Sequence, residues 1–323
     1  MGILLALQGA ISQGVLWGVM TLGIYLTFRV LDMADLTVDG SFATGGAVVG
    51  RMIFAGVHPS VSLLASFAAG LLCGLATGLM HTKLKIHVLL SSILTMIALY
   101  SINIRIMGRA NVPLLGVRTI LTPLLAHGMT MTGASLAVGA VFVVAVVAVL
   151  YWFLGTEIGC AVRATGNNDR MMRALGVNTD HIKILGLMIA NGLVALSGGL
   201  VAQSQGYADV GMGQGAIVIG LASIIIGEVL FGERIAFWYT LLSVVFGSIV
   251  YRIIIAVVLQ LGLKSTDLKL LTALIVAASL AVPVLTARAQ RRRRSVPGSR
   301  RDDEQSAEER AGHDSFVSDG GVE

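Results

Sequence analysis

Residues 155–183 read GTEIGCAVRATGNNDRMMRALGVNTDHIK, a polar stretch between two apolar runs that are each long enough to cross a bilayer. Basic residues between membrane spans mark the cytoplasmic side. The stretch contains Arg163, Arg170, Arg173 and Lys183. A plain connector would need only a few residues. The sequence therefore predicts a structured cytosolic loop in a membrane protein, and the length of the loop indicates that another protein grips it.

Two short helices are predicted inside this loop, over residues 161–165 and 169–175. Asn168 is placed to cap the second helix, and Asp169 in its first turn favours the positive end of the helix dipole. Gly176 follows the second helix, at a position where a glycine commonly ends a helix.

Composition defines the fold class. The 323 residues are 55% hydrophobic and 13% charged, and the mean hydropathy is +0.84. Soluble domains carry about 25% charged residues. The prediction is an all-α, polytopic helical membrane protein with about 8–10 spans. The net charge of +5 does not indicate nucleic-acid binding, because the basic residues lie at membrane edges and in the C-terminal tail.

The hydropathy pattern predicts nine crossings, with the N-terminus outside and the C-terminus in the cytosol. Cytosolic positions are assigned near Lys83, Arg170, Glu233 and Arg291. An additional or re-entrant crossing in residues 36–56 or in the predicted extracytoplasmic loop 108–131 would change the count and move the N-terminus inside. The predicted spans are residues 8–28, 36–56, 60–80, 86–107, 132–154, 184–203, 216–230, 237–261 and 268–285.

Small residues and the tail complete the outline. Gly14 and Gly18 in the first span, and the ridge Gly70, Gly74 and Gly78 in the third, predict close helix packing. Residues 288–323 mix charged and small polar residues with almost no apolar ones, so a disordered cytosolic tail is predicted there.

A polar segment, LTVDGSFATGG at residues 36–46, enters the second span. Asp39-Gly40 is a helix-breaking pair. A carboxylate at membrane depth is costly unless it lines a polar cavity or has a partner. Two interpretations stay open: a discontinuous segment that lines a pathway, or an interfacial loop in which Asp39 caps the second helix. Residues 205–215, which are also acidic and glycine-rich, precede the seventh span and indicate two halves of similar plan.

Motifs for enzymatic chemistry are missing from the sequence. It contains no Walker loop, no HExxH, no His/Cys metal cluster and no Ser/His/Asp set at plausible depth. No catalytic residue, metal or cofactor is therefore expected. The spans hold few ionisable residues, and Arg252 is expected to pair or to snorkel. A long cytosolic loop without coupling charges in the spans suggests that another subunit delivers the energy.

Two segments carry a family resemblance. LTVDGSFATGG is one, and the other is EIGCAVRATGN at residues 157–167, followed by ALGVN at 174–178. The chain resembles the membrane permease of bacterial ABC importers in the branched-chain amino acid and ribose permease superfamily, in the subgroup with LTVDG at this place. The likeness covers nearly residues 5–287, so residues 1–287 are expected to form the permease domain, with 155–183 as its cytosolic coupling segment.

The resemblance implies a mechanism and a set of partners. A second permease chain, as a homodimer, would surround a central pathway, an extracytoplasmic binding protein would deliver the solute, and ATP-binding cassette subunits would grip the coupling segment. The chain would lie in the bacterial inner membrane as a transport subunit, not an enzyme. The expected solute is an amino acid, aromatic or branched-chain, with a sugar or nucleoside as the next choice.

Residue roles follow from the same resemblance. The expected ATPase-coupling residues are Gly159, Arg163, Ala164, Gly166, Asn167, Ala174 and Gly176. The expected pathway residues are Asp39, Gly40 and Ser41. The alternative is an ion-coupled secondary transporter, in which Asp39, Glu228 or Arg252 would have to supply the coupling charge.

Overall fold

The computed structural model describes residues 2–231, 237–261, 270, 272–277 and 281. The predicted tail, most of the predicted ninth span, and the assignments at Glu233 and Arg291 lie outside these residues. The elements in chain order are α1 (Gly2–Tyr25), a π-helical turn (Leu26–Val30), α2 (Thr37–Phe54), α3 (Pro59–Thr82), α4 (Val88–Met107), β1 (Asn111–Pro113), α5 (Thr122–Ala126), α6 (Met131–Gly155), α7 (Glu157–Asn167), α8 (Asp169–Ala174), α9 (Thr179–Gln205), β2 (Tyr207–Asp209), α10 (Ala216–Phe231) and α11 (Phe237–Gln260).

Six described helices are long and apolar enough to cross a membrane. They are α1 with its π-helical turn, α3, α4, α6, α9 and α11. α10 is apolar but has 16 residues, and α2 has 18. Each of the first eight predicted spans coincides with one of these eight helices. The prediction of an all-α polytopic membrane protein is confirmed.

α1 and α9 form the centre of the helix bundle. In the most apolar window of each, 83% and 72% of the residues are buried, whereas the figure for α4 is 28%. Lipid tails are as apolar as the helices, so hydrophobicity does not drive helices together within a membrane. The small residues along α1 and α9 instead allow the close packing that holds them together. α4 packs against α2 and α3 and leaves its remaining face uncovered within the chain.

The predicted glycine ridge of α3 packs directly on α9. A Cβ at Gly74 would collide with the carbonyl oxygen of Leu187, and a Cβ at Gly78 would lie 3.1 Å from the Cα of Ile184. The pair on α1 contacts α11 in the same way, because a Cβ at Gly14 would lie 2.7 Å from the Cα of Ile249. Both predictions of close packing are confirmed.

Residues 108–131 contain β1 and the short helix α5. β1 pairs with β2 in an antiparallel ladder in which Val112 lies opposite Ala208. This pairing fixes the predicted extracytoplasmic loop to the segment that joins α9 to α10.

The prediction that Asp39-Gly40 breaks the helix is wrong. α2 runs without interruption from Thr37 to Phe54. A Cβ at Gly40 would lie 2.8 Å from Leu99 Cδ1, so this glycine serves the close packing of α2 on α4. The break lies earlier, in residues 31–36, where Asp32 has a φ of 53°. Aspartate is one of the few residues that tolerate this left-handed conformation.

The packing of α3 on α9 predicts the effect of a single methyl group. Gly74→Ala should lower the free energy of unfolding by about 1–3 kcal/mol, because the contact is with backbone and neither helix can give way locally. Gly9→Ala in α1 is the matched control, since nothing lies within 4 Å of its Cβ position and alanine favours a helix. Thermal unfolding of both variants in detergent checks the difference, and equal stability would contradict the packing.

Candidate functional site

The predicted coupling segment, residues 155–183, contains α7, α8 and the start of α9. α7 is longer than the predicted helix over residues 161–165, and α8 ends one residue before the predicted 175. The Thr156 hydroxyl accepts a hydrogen bond of 3.2 Å from the N–H of Gly159 and caps α7. Asn168 caps α8 as predicted, because its Oδ1 accepts a hydrogen bond of 3.0 Å from Met171 N–H.

Two glycines let α7 lie against neighbouring backbone. A Cβ at Gly159 would collide with the carbonyl oxygen of Phe153 at the end of α6. A Cβ at Gly166 would collide with the carbonyl oxygen of Val30 and lie 2.9 Å from the Cα of Leu31. α7 therefore rests on the end of the π-helical turn, where residues 31–36 begin.

Arg163 lies on the exposed side of α7. Its Nη2 donates a hydrogen bond of 3.2 Å to Cys160 Sγ, and its guanidinium carbon lies 5.7 Å from the centre of the Phe237 ring. With Asn167 and Arg29 it lines a polar cavity of about 530 Å³. This side of α7 presents hydrogen-bond donors and positive charge to whatever lies next to it.

Ion pairs connect α8 to α9. Asp169 Oδ2 lies 3.2 Å from both Arg173 Nη2 and Lys183 Nζ, and Arg173 Nε donates a hydrogen bond of 2.9 Å to Thr179 Oγ1. Partial burial acts to raise the pKa of Asp169, but the Thr179 hydroxyl and the charges of Lys183 and Arg173 outweigh it. Together they hold the pKa of Asp169 below its ordinary value of 3.8.

The seven predicted coupling residues all lie in this segment. Five are in α7, one ends α8, and one has the positive φ of 82° typical of a helix-ending glycine. In chain order they are Gly159, Arg163, Ala164, Gly166, Asn167, Ala174 and Gly176.

A buried hydrogen-bond cluster lies near the middle of α9. Asn191 Nδ2 donates to Asp35 Oδ2 at 2.7 Å, and Ser41 Oγ donates to Asn191 Oδ1 at 2.6 Å. Asn191 is the thirteenth residue of the 27 in α9, which places it about 18 Å along a helix of about 40 Å. Asp35 and Ser41 are both buried and therefore lie inside the helix bundle, well away from either end of α9.

Asp39 caps α10, not its own helix. Its Oδ2 accepts a hydrogen bond of 2.8 Å from Gly215 N–H, and its Oδ1 accepts one of 2.9 Å from Ile217 N–H. The residue before α2, Leu36, makes no side-chain cap bond. Of the two open interpretations, capping of the second helix by Asp39 is wrong. The carboxylate instead faces the positive end of a helix that begins far away in the sequence.

The segment between α9 and α10 runs down the side of α2. Gly50 packs near Ala208, a Cβ at Gly46 would collide with Met212 Sδ, and a Cβ at Gly213 would collide with the carbonyl oxygen of Asp39. The segment thus passes from the far end of α2 to its beginning before α10 starts. α10 is consequently a shortened helix that begins within the bundle, next to non-helical backbone that protein surrounds.

A cavity of about 360 Å³ opens beside this junction. Of the three predicted pathway residues, Asp39 and Gly40 line it, but Ser41 does not. Ser41 is fully buried and is occupied by its bond to Asn191. The other lining residues are Ala43, Met96, Ile97, Tyr100, Ser101, Asn103, Val210 and Gln214.

The other two charges considered for ion coupling have partners of their own. Glu228 Oε1 accepts a hydrogen bond of 2.9 Å from Arg29 Nε. Arg252 stacks on Trp17, with 3.9 Å between its guanidinium carbon and the ring centre, and Nη1 donates to Gln13 Oε1 at 3.3 Å. Arg252 was expected to pair or to snorkel, and its contacts are with two neutral groups, the ring of Trp17 and the amide of Gln13.

Sequence reasoning missed the role of Asn191 and Asp35. Asn191 was visible as an amide within an apolar span, and an amide there needs a partner. Its partner is 156 residues away in the chain, which no local pattern indicates. A row of hydroxyls beside the cluster was also missed. It runs from Thr37 through Thr77 to Thr95 at spacings of 2.7 and 2.9 Å.

Known proteins resemble this chain over most of its length. Residues 6–279 match the family described as "Branched-chain amino acid transport system / permease component". The tyrosine transport system permease protein of Clostridioides difficile (strain R20291) is 41% identical over 84% of this chain and 88% of its own. The galactofuranose transporter permease protein YtfT of Escherichia coli (strain K12) is 29% identical over 51% of this chain and 47% of its own.

Among solved structures, PsaBC from Streptococcus pneumoniae in complex with Fab is 15% identical. The match covers 77% of this chain and 88% of that one, with a TM-score of 0.36. The family consists of transport permeases of the bacterial inner membrane, which generally work with an ATPase and a binding protein. The chain belongs to this branched-chain amino acid permease family, as the multi-pass permease subunit of an ABC importer.

Proposed function

We propose that this permease imports an amino acid, with an aromatic one as the first choice, and that a separate ATPase subunit drives it through α7 and α8. The name of the 41% identical relative supports the solute class. The observation that carries the coupling is the contact of Gly166 with Val30 and Leu31. Through it, the exposed segment touches the chain that leads into the middle of the bundle.

The coupling segment suits docking to an ATPase. α7 buries Val162 and Thr165 against the permease and exposes Arg163 and Asn167 on the other side. Arg163 would pair with an acidic rim of the ATPase, since a guanidinium binds carboxylates with matched geometry. The ion pairs of Asp169 connect α8 to the start of α9, so that α8 would move with that helix.

Motion of α7 would reach the pathway through residues 31–36. This segment begins with Leu31, which α7 contacts through Gly166. It also contains Asp35, whose carboxylate accepts a hydrogen bond from Asn191. Thr37 then starts α2, and Asp39 in the first turn holds the beginning of α10. A displacement at α7 would therefore bias whether α2 and α10 stay together, and contact and separation of these helices would be the two states that coupling requires.

We infer the remaining partners from the family to which the chain belongs. A second copy of the chain would complete the pathway as a homodimer, and a binding protein would deliver the solute from outside. Arg288 and the basic run of residues 291–294 support a C-terminus in the cytosol, on the side proposed for α7 and α8. The alternative, an ion-coupled carrier, would need Asp39 as its titrating group, and the hydrogen bonds to α10 already account for that carboxylate.

Charge reversal on α7 tests the docking. Arg163→Glu should abolish co-purification of an ATPase from detergent, because like charges would face each other, while the permease still folds. Arg118→Glu, an exposed arginine in the loop after β1, is the matched control and should leave the association intact. Retention of the ATPase by Arg163→Glu would contradict the proposed contact.

The ion pairs of α8 give a prediction with a defined pH dependence. The pKa of Asp169 is lower in the folded protein than its ordinary value of 3.8, so the carboxylate makes its full stabilising contribution above pH 3.8. That contribution is lost only as the pH falls through the lower pKa of the folded state. At neutral pH, Asp169→Asn should therefore increase amide hydrogen exchange across α8, whereas Asp209→Asn should not. Unchanged exchange in Asp169→Asn would show that α8 does not depend on these pairs.

The capping contact of Asp39 predicts a transport defect without an assembly defect. Asp39→Asn keeps an acceptor but removes the charge that favours the α10 terminus, worth up to about 2 kcal/mol. Uptake should fall about tenfold or more while the ATPase still co-purifies. Asp209→Asn is the control, because Asp209 holds its own turn through Gly211 N–H at 2.8 Å. Normal uptake by Asp39→Asn would contradict a role for Asp39 in transport.

A further inference from the structure

We propose that Asn103 of α4 is the side chain that binds the solute, in a half-site on α4 that a second copy of the chain completes. The solute would be an amino acid with a free ammonium group and an apolar or aromatic side chain. This inference rests on the proposed import function and deepens it, because it moves the polar contact from Ser41 to Asn103.

The first observation is an unused acceptor. Asn103 is fully buried, and its Nδ2 donates a hydrogen bond of 3.4 Å to the carbonyl oxygen of Gly40. A carbonyl only accepts, so this contact fixes the orientation of the amide. Among the described residues, Asn103 Oδ1 has no hydrogen-bond partner. Buried side-chain acceptors almost always have a partner, so an orphan acceptor beside a cavity is available to a water molecule or to a ligand.

The second observation is the cavity itself. Asn103 lines the space of about 360 Å³ beside the Asp39 cap, which is within the usual range for a small-molecule site. The wall combines apolar side chains, such as Met96 and Val210, with Tyr100. An ammonium group donates to an amide oxygen, and the negative charge of Asp39 nearby favours a cation. The apolar part of the solute would pack on Met96 and Tyr100.

The three expected pathway residues leave this role open. Ser41 is committed to Asn191 and lies outside the cavity. Asp39 uses each carboxylate oxygen to hold an N–H at the beginning of α10. Gly40 already accepts from Thr44 and Asn103. Tyr100, Ser101 and Gln214 also line the cavity, but their side chains are exposed. Among the lining residues that the structure describes, Asn103 is the buried one whose side chain has an acceptor without a partner.

The cavity is open on the uncovered face of α4. Ile97 and Tyr100 line it and are 59% and 50% exposed, and the Ser101 side chain is also exposed there. Lipid would leave the hydroxyl groups of Tyr100 and Ser101 without hydrogen-bond partners, which is costly within a membrane. A second copy that presents the same polar face around a two-fold axis would cover them. The half-site is incomplete without it.

Protection of a cysteine tests the contact. Ser101→Cys is placed in a chain with Cys73→Ser and Cys160→Ser, and the reaction with a polar maleimide is timed in the permease–ATPase complex without binding protein. L-Tyrosine should slow labelling, and its deaminated analogue should need about tenfold higher concentration to do so. With Asn103→Leu added, L-tyrosine should protect the cysteine no better than the deaminated analogue does. With Asn103→Asp, which keeps an acceptor, L-tyrosine should still protect at a lower concentration than the analogue.

Two results would overturn the assignment. One is the absence of protection by L-tyrosine when Asn103 is intact, and the other is equal protection with Asn103→Leu. The readout does not require ATP hydrolysis. A complex that keeps its ATPase but shows either result disproves the half-site alone, whereas loss of ATPase co-purification disproves the proposed import function.

Cross-linking tests the second copy. Ser101→Cys should form a cross-linked dimer with a short bifunctional thiol reagent in membranes. Val144→Cys on α6 is the matched control, since Val144 is 67% exposed and does not line the cavity. Failure of Ser101→Cys to cross-link, or equal cross-linking of Val144→Cys, would overturn completion of the site by a second copy.

Discussion

The hydrogen bond from Asn191 to Asp35 is the interaction on which the centre of this permease depends. It joins α9 to the non-helical residues 31–36 at the middle of the bundle, where an unpaired carboxylate would cost several kcal/mol. Asn191 also accepts from Ser41, so one amide holds both ends of the first turn of α2. With that turn fixed, Asp39 is positioned to hold the beginning of α10.

Both interrupted stretches of the chain meet at this centre. Residues 31–36 precede α2, and residues 206–215 precede α10, so two shortened helices begin within the bundle instead of at its surface. Non-helical backbone at such a depth persists only where protein or a polar cavity satisfies it. Here the side chains of Asp35 and Asp39 do so. The beginning of α10, held by Asp39, lies beside the cavity, and residues 31–36 begin at Leu31, which α7 contacts. This arrangement suits a pathway that an external subunit opens.

The sequence predicted the features that depend on local patterns. Helix positions, the cap by Asn168 and the glycine ridge of α3 follow from residues that are close in the chain. The partners of Asn191 and Asp39 did not follow, because these contacts span 150 to 178 residues. The break expected at Gly40 was wrong for a related reason. A glycine in a sequence is equally consistent with a break in the helix and with a close contact between helices. At Gly40 the position of Leu99, which leaves no room for a Cβ, shows that the glycine serves a close contact.

A reversible cross-link shows most directly whether the segment before α10 must separate from α2 during transport. Gly46 and Met212 are in contact, and replacing the bulky methionine makes room for a bridge between Gly46→Cys and Met212→Cys. In a chain with Cys73→Ser and Cys160→Ser, ATP-driven uptake into proteoliposomes is measured before oxidation, after oxidation and after reduction. If the segment must separate, the bridge stops uptake while the ATPase stays bound, and reduction restores transport. Full uptake by the bridged permease would contradict the need for separation.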